Sequence, residues 1–433
     1  MPDLATQLPA PERVHVDVSS LRPLFQEAAP APDLALAVLP GHPQDPTRTI
    51  ARMAAKIYLK RLLVQLRDHG AASAPADVRR WAQGMVDGLL RMPHEALLRL
   101  VMTPGVTSWT RTAQGATAGG RTLDPRVLLG HLGTFLLPGL LAPQTVTAAE
   151  VPVIAEAGEV VLPAVRVALR VPGAEGVLTV RATESGLRVA AGERTLDIPW
   201  ACLPDGPDGP AQEHPSVRAL TVLPGGPLLT GPLPWHRIAY PPEAEGPLDL
   251  GPEDFARFAE DMGSGWDTVR RHWPEAADVV RCTTLHIMPV RSQGNWPFNF
   301  TLPSFRGLVL TSGRPTYLSA QTLVHETGHN RFNSILDVYS VAENAAEGHY
   351  SPFVEATRPL VNIFHGVLSF LNDVHMAIRC VDSFSPADGP AIEPYVDDIV
   401  ARLGVGLDTL ERHARTTEQG AQLLAGFRAA MPV

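Results

Sequence analysis

From Arg358 to Cys380 the chain is almost uninterruptedly apolar, so the segment must be buried, and Pro359 suits the first position of a helix. Within it Asn362, His365, Ser369, Asn372 and Asp373 recur at three- and four-residue steps, which lines them along one side of that helix. Buried polar groups need partners. Whatever packs on this stripe must therefore be polar too, either as a functional site or as a structural hydrogen-bond network around a core histidine.

His325-Glu326-Thr327-Gly328-His329 is the other constraining stretch. On a helix, positions i and i+4 lie one above the other, so His325 and His329 can present nitrogens to one metal ion, with the Glu326 carboxylate between them. Two histidines do not close a metal site. Glu343 and Glu347, expected on the next helical segment, lie within the reach of zinc peptidases that recruit a downstream Glu, and His349 follows them. His365 is the third ligand we select, because its polar stripe asks for such a site, with Asp373 or Asn372 orienting imidazoles from behind. Gly328 leaves room either for a ligand or for a closely packed helix, and Asp337 falls near Glu326 in helical angle and can support it.

The rest of the chain frames this pair of helices. At 433 residues, 45% hydrophobic and 19% charged, it reads as an ordinary globular protein of two or three domains. We expect an α+β fold, mainly α-helical, with a small antiparallel β region and a metal-binding HExxH helix in the C-terminal half. Residues 1–142 form the helical N-terminal region, 143–240 the β-rich middle, and 241–433 the catalytic region. Apolar residues at three- and four-residue steps run from Ile50 to Leu63 and from Val78 to Leu100, whereas Val151–Ile154, Val160–Leu162, Val165–Val171 and Val177–Val180 are short β-branched runs parted by Gly and Pro. Residues 203–215 read as a linker. Strand-like runs at 283–290 and 307–311 lead to Ser319, the expected N-cap of the HExxH helix.

Net charge and cysteines narrow the partners. A formal charge of −9 argues against nucleic acid or an anionic membrane surface, and no long uncharged apolar run suggests a membrane span. Cys202, Cys282 and Cys380 are too far apart for a disulfide framework, and the first residues lack the order of a signal peptide, so we expect a cytoplasmic protein. Neither His15-Val16-Asp17, which precedes any barrel-like pattern, nor the Gly-rich run 114–120, read as a flexible loop, makes a second site.

The motifs together carry a resemblance. His325-Glu326-x-x-His329, then Asn333-x-x-Leu336-Asp337, Tyr350-Ser351-Pro352-Phe353 and Arg358-Pro359-Leu360 with His365-Gly366 behind them, resemble the HExxH-motif family that modifies ribosomally made peptides. Thr103-Pro104-Gly105-Val106-Thr107-Ser108-Trp109 and Ser304-Phe305-Arg306-Gly307-Leu308-Val309-Leu310 resemble further family segments. The chain departs from the pattern at Thr327-Gly328, where a bulkier pair is usual, and at Phe353, where Trp is usual.

The resemblance implies an Fe(II)- and 2-oxoglutarate-dependent dioxygenase that hydroxylates a side-chain β-carbon of a peptide, with or without a leader segment. His325, His329 and His365 would be its metal ligands, since three histidines can serve such a site. Arg358 would bind the far carboxylate of 2-oxoglutarate as a charge-assisted pair, with Arg306 as substitute. Glu326 would support the site or touch the substrate. Spacing alone favours a different reaction, a zinc metallopeptidase in which Glu326 is the general base and Glu343 or Glu347 the third ligand. A scaffold that holds only a structural metal is the non-enzymatic reading.

Overall fold

The computed structural model describes residues 12–27, 31–118, 124–140, 150–203, 212–239, 248–291, 298–313, 317–380 and 392–432. Helix takes 56% and strand 17%, so the fold is α+β and mainly α, as the periodicities require. No helix among the described residues is long and apolar enough to cross a membrane. Two compact units share the chain: one combines residues 1–28, 55–222 and 232–246, the other 29–54, 223–231 and 247–433.

The first unit holds α1 (Arg22–Gln26), α2 (Thr47–His69, whose residues up to Ala54 belong to the second unit), α3 (Ala76–Arg91), α4 (His94–Val101), α5 (Pro104–Ala118), α6 (Pro125–Leu140) and α7 (Pro234–Ala239). Pro93 separates α3 from α4, because the residue before a proline is pushed out of the helical region and Met92 is extended. The Gly-rich run expected as a loop is helical as far as Ala118, and residues 119 and 120 lie outside the described ones. Local helix formation from α5 overrides the weak propensity of its glycine. The strands are β1 (Val151–Ala155), β2 (Glu159–Leu162), β3 (Val167–Arg170), β4 (Gly176–Ala182), β5 (Gly186–Ala191), β6 (Arg194–Pro199) and β7 (Val217–Ala219). They form antiparallel sheets β1-β4-β5-β6 and β2-β3-β7. Helix α6 lies so close on β1 that a Cβ at Gly133 would sit 1.8 Å from the Pro152 carbonyl oxygen, and Thr134 Oγ1 accepts the Ile154 N–H at 3.1 Å.

The second unit carries β8 (Leu228–Leu229), β9 (His286–Pro289), β10 (Asn299–Phe300), β11 (Leu308–Thr311), β12 (Gly348–Ser351) and β13 (Ala356–Pro359). Its helices are α8 (Pro252–His272), α9 (Pro274–Thr283), α10 (Tyr317–Val338), α11 (Leu360–Cys380), α12 (Ile392–His413) and α13 (Glu418–Ala430). The sheet order is β10-β11-β9-β8, with β8, β9 and β11 parallel and β10 antiparallel. Strands β12 and β13 form a separate hairpin, paired from Gly348↔Pro359 to Ser351↔Ala356.

Helix α10, which carries the HExxH residues, packs on both sides. Phe332 and Ile335 join Ile363, Phe364, Leu403, Leu407 and Phe427 in one core, while Ala320, Leu323 and Val324 join Met262, Trp266, Ile287 and Val309 in another. Each buried Val, Leu, Ile, Phe or Met among them contributes about 1.5–3 kcal/mol. Only a helix with two apolar flanks and one polar stripe fits this place. Ser319 is buried in the first turn of α10 instead of capping it, because α10 begins at Tyr317 and a Cβ on Gly265 of α8 would come within 2.6 Å of Ser319 Cβ. Glu343 and Glu347, expected on a helical segment, lie instead in and just after the turn that leads into β12.

Candidate metal centre

Four elements of the second unit converge on one cavity of about 370 Å³. Helix α10 supplies His325, Glu326, His329 and Asn333, and α11 supplies Asn362, His365, Gly366 and Phe370. Strand β10 and the residues after it add Asn299, Phe300, Thr301 and Pro303, and the β12–β13 hairpin adds Ser351, Phe353, Val354 and Arg358. The polar stripe of α11 meets the polar face of α10, but not all of it is buried as its apolar surroundings suggest: Ser369, Asn372 and Asp373 are buried, His365 is half-buried and Asn362 is exposed.

His325, Glu326 and His329 each offer a ligand atom within 4.8 Å of the others. His365 sits beside this set, with its Nδ1 3.1 Å from that of His329. That is a hydrogen-bond distance, and His365, selected as the third ligand, stands outside the group whose ligand atoms lie within 4.8 Å of one another. His325 Nδ1 lies 2.8 Å from Asp373 Oδ2, which fixes the ring and leaves Nε2 as its free nitrogen. Tyr395 donates to the same carboxylate oxygen at 3.4 Å and accepts from Gln321 Nε2. Asn372 instead donates to the Leu368 carbonyl of its own helix, so of the two candidates Asp373 is the one that orients an imidazole.

Electrostatics separates the three histidines. Burial pulls the His325 imidazolium down, but the charge and hydrogen bond of Asp373, together with Glu326, outweigh it and raise the group to about 9. Burial holds His329 well below its ordinary value, assisted by His325 and His365. His365 falls to about 3 through burial and the nearby Arg306 charge. Burial raises Glu326 to about 7 against the pull of His325 and of Asn299, whose Nδ2 donates to Glu326 Oε1 at 2.8 Å. Glu326 Oε2 and Asp373 Oδ1 are buried without a hydrogen-bond partner among the described residues. The Glu326 carboxylate, with one oxygen unsatisfied, beside His325 and His329 is a donor set that can hold a divalent cation.

Other expectations are redirected by packing. Asp337 does not support Glu326: it forms a buried bidentate pair with Arg306, with Nε–Oδ2 at 2.6 Å and Nη2–Oδ1 at 2.8 Å. That pair also occupies Arg306, the substitute for Arg358. Gly328 serves helix packing, since its Cβ would lie 3.0 Å from Ser369 Oγ and 3.1 Å from Ser369 Cα. Glu343 and Glu347 face Arg415 at the surface, with Glu347 also accepting from Asn344 Nδ2 at 2.9 Å, and neither lines the cavity. His349 stacks on His413 with ring centroids 4.3 Å apart. Arg358 lies exposed on the cavity wall, engaged by no ion pair among the described residues.

Asn299, Gln321, Tyr395 and Phe370 escaped the sequence reading. Asn299 is flanked by Phe298 and Phe300 in a short strand, and an isolated amide between aromatics carries no motif. No family model matches the chain, and no curated protein matches it.

Proposed function

We propose that this chain is an iron(II)- and 2-oxoglutarate-dependent oxygenase that places a hydroxyl group on a side-chain β-carbon of a ribosomally made peptide. The observation that carries this reading is one cavity lined by three half-buried histidines and, on its exposed side, an uncommitted arginine. His325, His329 and His365 would hold the ion. When bound, it would supply the redox chemistry by which 2-oxoglutarate and dioxygen yield succinate, carbon dioxide and one hydroxyl group on the substrate.

The chain's own groups do the rest. Asp373 keeps His325 in one orientation, and Arg358 pairs with the distal carboxylate of 2-oxoglutarate. Phe300, Phe353, Val354 and Phe370 give the cavity apolar surface for a substrate side chain and reduce its access to water. The peptide and its β-carbon rest on the family resemblance of the motifs.

A second reading, zinc-dependent peptide hydrolysis, draws support from Glu326, because a carboxyl group raised to about 7 suits a general base. Neither of the downstream carboxylates expected as its third ligand reaches the cavity, as Glu343 and Glu347 are engaged with Arg415.

The test is anaerobic addition of 2-oxoglutarate to the Fe(II)-loaded protein. A metal-to-ligand charge-transfer band is expected, and Arg358→Ala should weaken binding by about 1.5–3 kcal/mol, the value of a hydrogen bond to a charged group. Product mass then separates the two reactions. One added oxygen atom derived from dioxygen supports oxygenation, whereas two fragments sharing one added water, formed without 2-oxoglutarate and abolished in Glu326→Gln, would establish hydrolysis.

A further inference from the structure

The β12–β13 hairpin forms one wall of the cavity, yet a two-stranded hairpin of this length is barely stable by itself. Its position must come from its anchors. At its base, the Leu360 N–H donates to the Glu347 carbonyl at 2.9 Å and the Val361 N–H to the Ala345 carbonyl at 3.0 Å. At its tip Arg402 of α12 supplies the polar anchor, beside the packing of Phe353.

One Arg402 guanidinium binds both ends of the tip. Its Nη1 donates to the Pro352 carbonyl at 2.8 Å and lies 3.0 Å from Glu355 Oε1, while Nε donates to Asp398 Oδ2 at 2.8 Å. Glu355 sits at φ +51°, a left-handed conformation uncommon outside glycine, so the turn is held in a shape that its own residues do not favour. Between these ties Phe353 is pressed onto α11 and α12. A Cβ at Gly366 would meet its ring at 2.4 Å and one at Gly406 at 3.1 Å. Phe353 stacks on Phe370 with centroids 4.8 Å apart, and the Phe370 ring meets His325 edge-on at 4.9 Å.

We infer that Arg402 is a positioning residue: by clamping the hairpin tip it sets where Arg358 and the Phe353–Val354 wall stand opposite the histidines, although it does not itself line the cavity. Arg402 and its acidic partners are partly exposed, so the Coulomb energy of the clamp is small in water and its effect comes from the fixed fork geometry of the guanidinium. The consequence for binding rests on the oxygenase reading above, since Arg358 then holds the cosubstrate carboxylate. A side chain remote from the ion thereby controls the affinity for an anionic cosubstrate.

The experiment is a double-mutant cycle on the full chain, with 2-oxoglutarate as probe. In Arg402→Gln the Fe(II) content should match the parent, while 2-oxoglutarate, titrated anaerobically by its charge-transfer band, should bind roughly three- to tenfold more weakly, as expected for coupled neighbours. Arg402→Gln added to Arg358→Ala should cause no further loss, and Arg402→Lys should restore part of the affinity.

Hydrogen exchange over residues 348–359 gives a readout independent of the cosubstrate: it should quicken in Arg402→Gln while exchange in α11 stays unchanged. Faster exchange in a protein whose parent form shows no band would support the clamp and overturn the oxygenase reading. Unchanged exchange, or a full additional loss on top of Arg358→Ala, would overturn the assignment of Arg402.

Discussion

Replacing Asp337 by Asn tests whether the Arg306–Asp337 pair is a structural support of the α10 helix. Both side chains are about as buried as core residues, 4% and 5% exposed, and the guanidinium makes two short parallel bonds to the carboxylate. Solvent screening therefore removes little of the interaction. Breaking a buried pair by removing one charge costs about 3–5 kcal/mol, because the remaining ion is left desolvated and uncompensated. Asn retains one acceptor oxygen, which places the expected loss near the lower end, roughly 3 kcal/mol. At about 2–4 °C per kcal/mol for a body of 150–250 residues, the melting temperature should fall by roughly 6–12 °C. Urea unfolding followed by circular dichroism supplies the free energy, and scanning calorimetry the shift. The paired replacement Arg306→Met with Asp337→Leu should recover most of the loss, since apolar side chains carry no desolvation penalty. A cost below about 1 kcal/mol for Asp337→Asn, or a double variant as unstable as the single one, would refute the reasoning.

Three further outcomes follow from other parts of the structure. Asp373→Asn, which leaves His325 without its charged hydrogen-bond acceptor, should lower metal affinity by about 10–100-fold in a chelator competition, with the far-ultraviolet spectrum unchanged. Gly265→Ala should destabilise by about 1–2 kcal/mol despite the better helix former, because its Cβ would lie 2.7 Å from the Ala320 backbone nitrogen, and denaturant titration measures this. Burial lowers the folded-state pKa of His131 from 6.5 to about 4. The unfolded chain therefore binds the extra proton between these values, so stability is complete above about pH 6.5 and falls as pH drops toward 4, by roughly 3 kcal/mol. His131→Asn should flatten that slope in unfolding curves taken across this range.

Several parts of the centre were legible because they depend on neighbours along the chain. The i, i+4 spacing puts His325 and His329 on one face of α10 wherever the helix packs, and the apolar run with its polar stripe dictates that α11 be buried with His365 and Asp373 on one side. Strand periodicity likewise located most of the β region. Partner choice was not legible, because it is decided between segments distant in sequence. Asp337 points toward Arg306 rather than Glu326 since the segment before β11 passes that side of α10, and burial of one charge selects the opposite charge within reach. Gly328 could have served a ligand or a helix, and the close approach of Ser369 selects the helix. Glu347 had the sequence spacing of a ligand, but the turns before β12 carry it to Arg415. Asn299, Tyr395 and Arg402 acquire their contacts only when β10 and α12 are folded against the pair α10–α11. Periodicity thus determines which face of an element is buried, while the packing of whole elements determines which polar group meets which, because hydrogen bonds and ion pairs act over a few ångströms and sequence separation does not measure that distance.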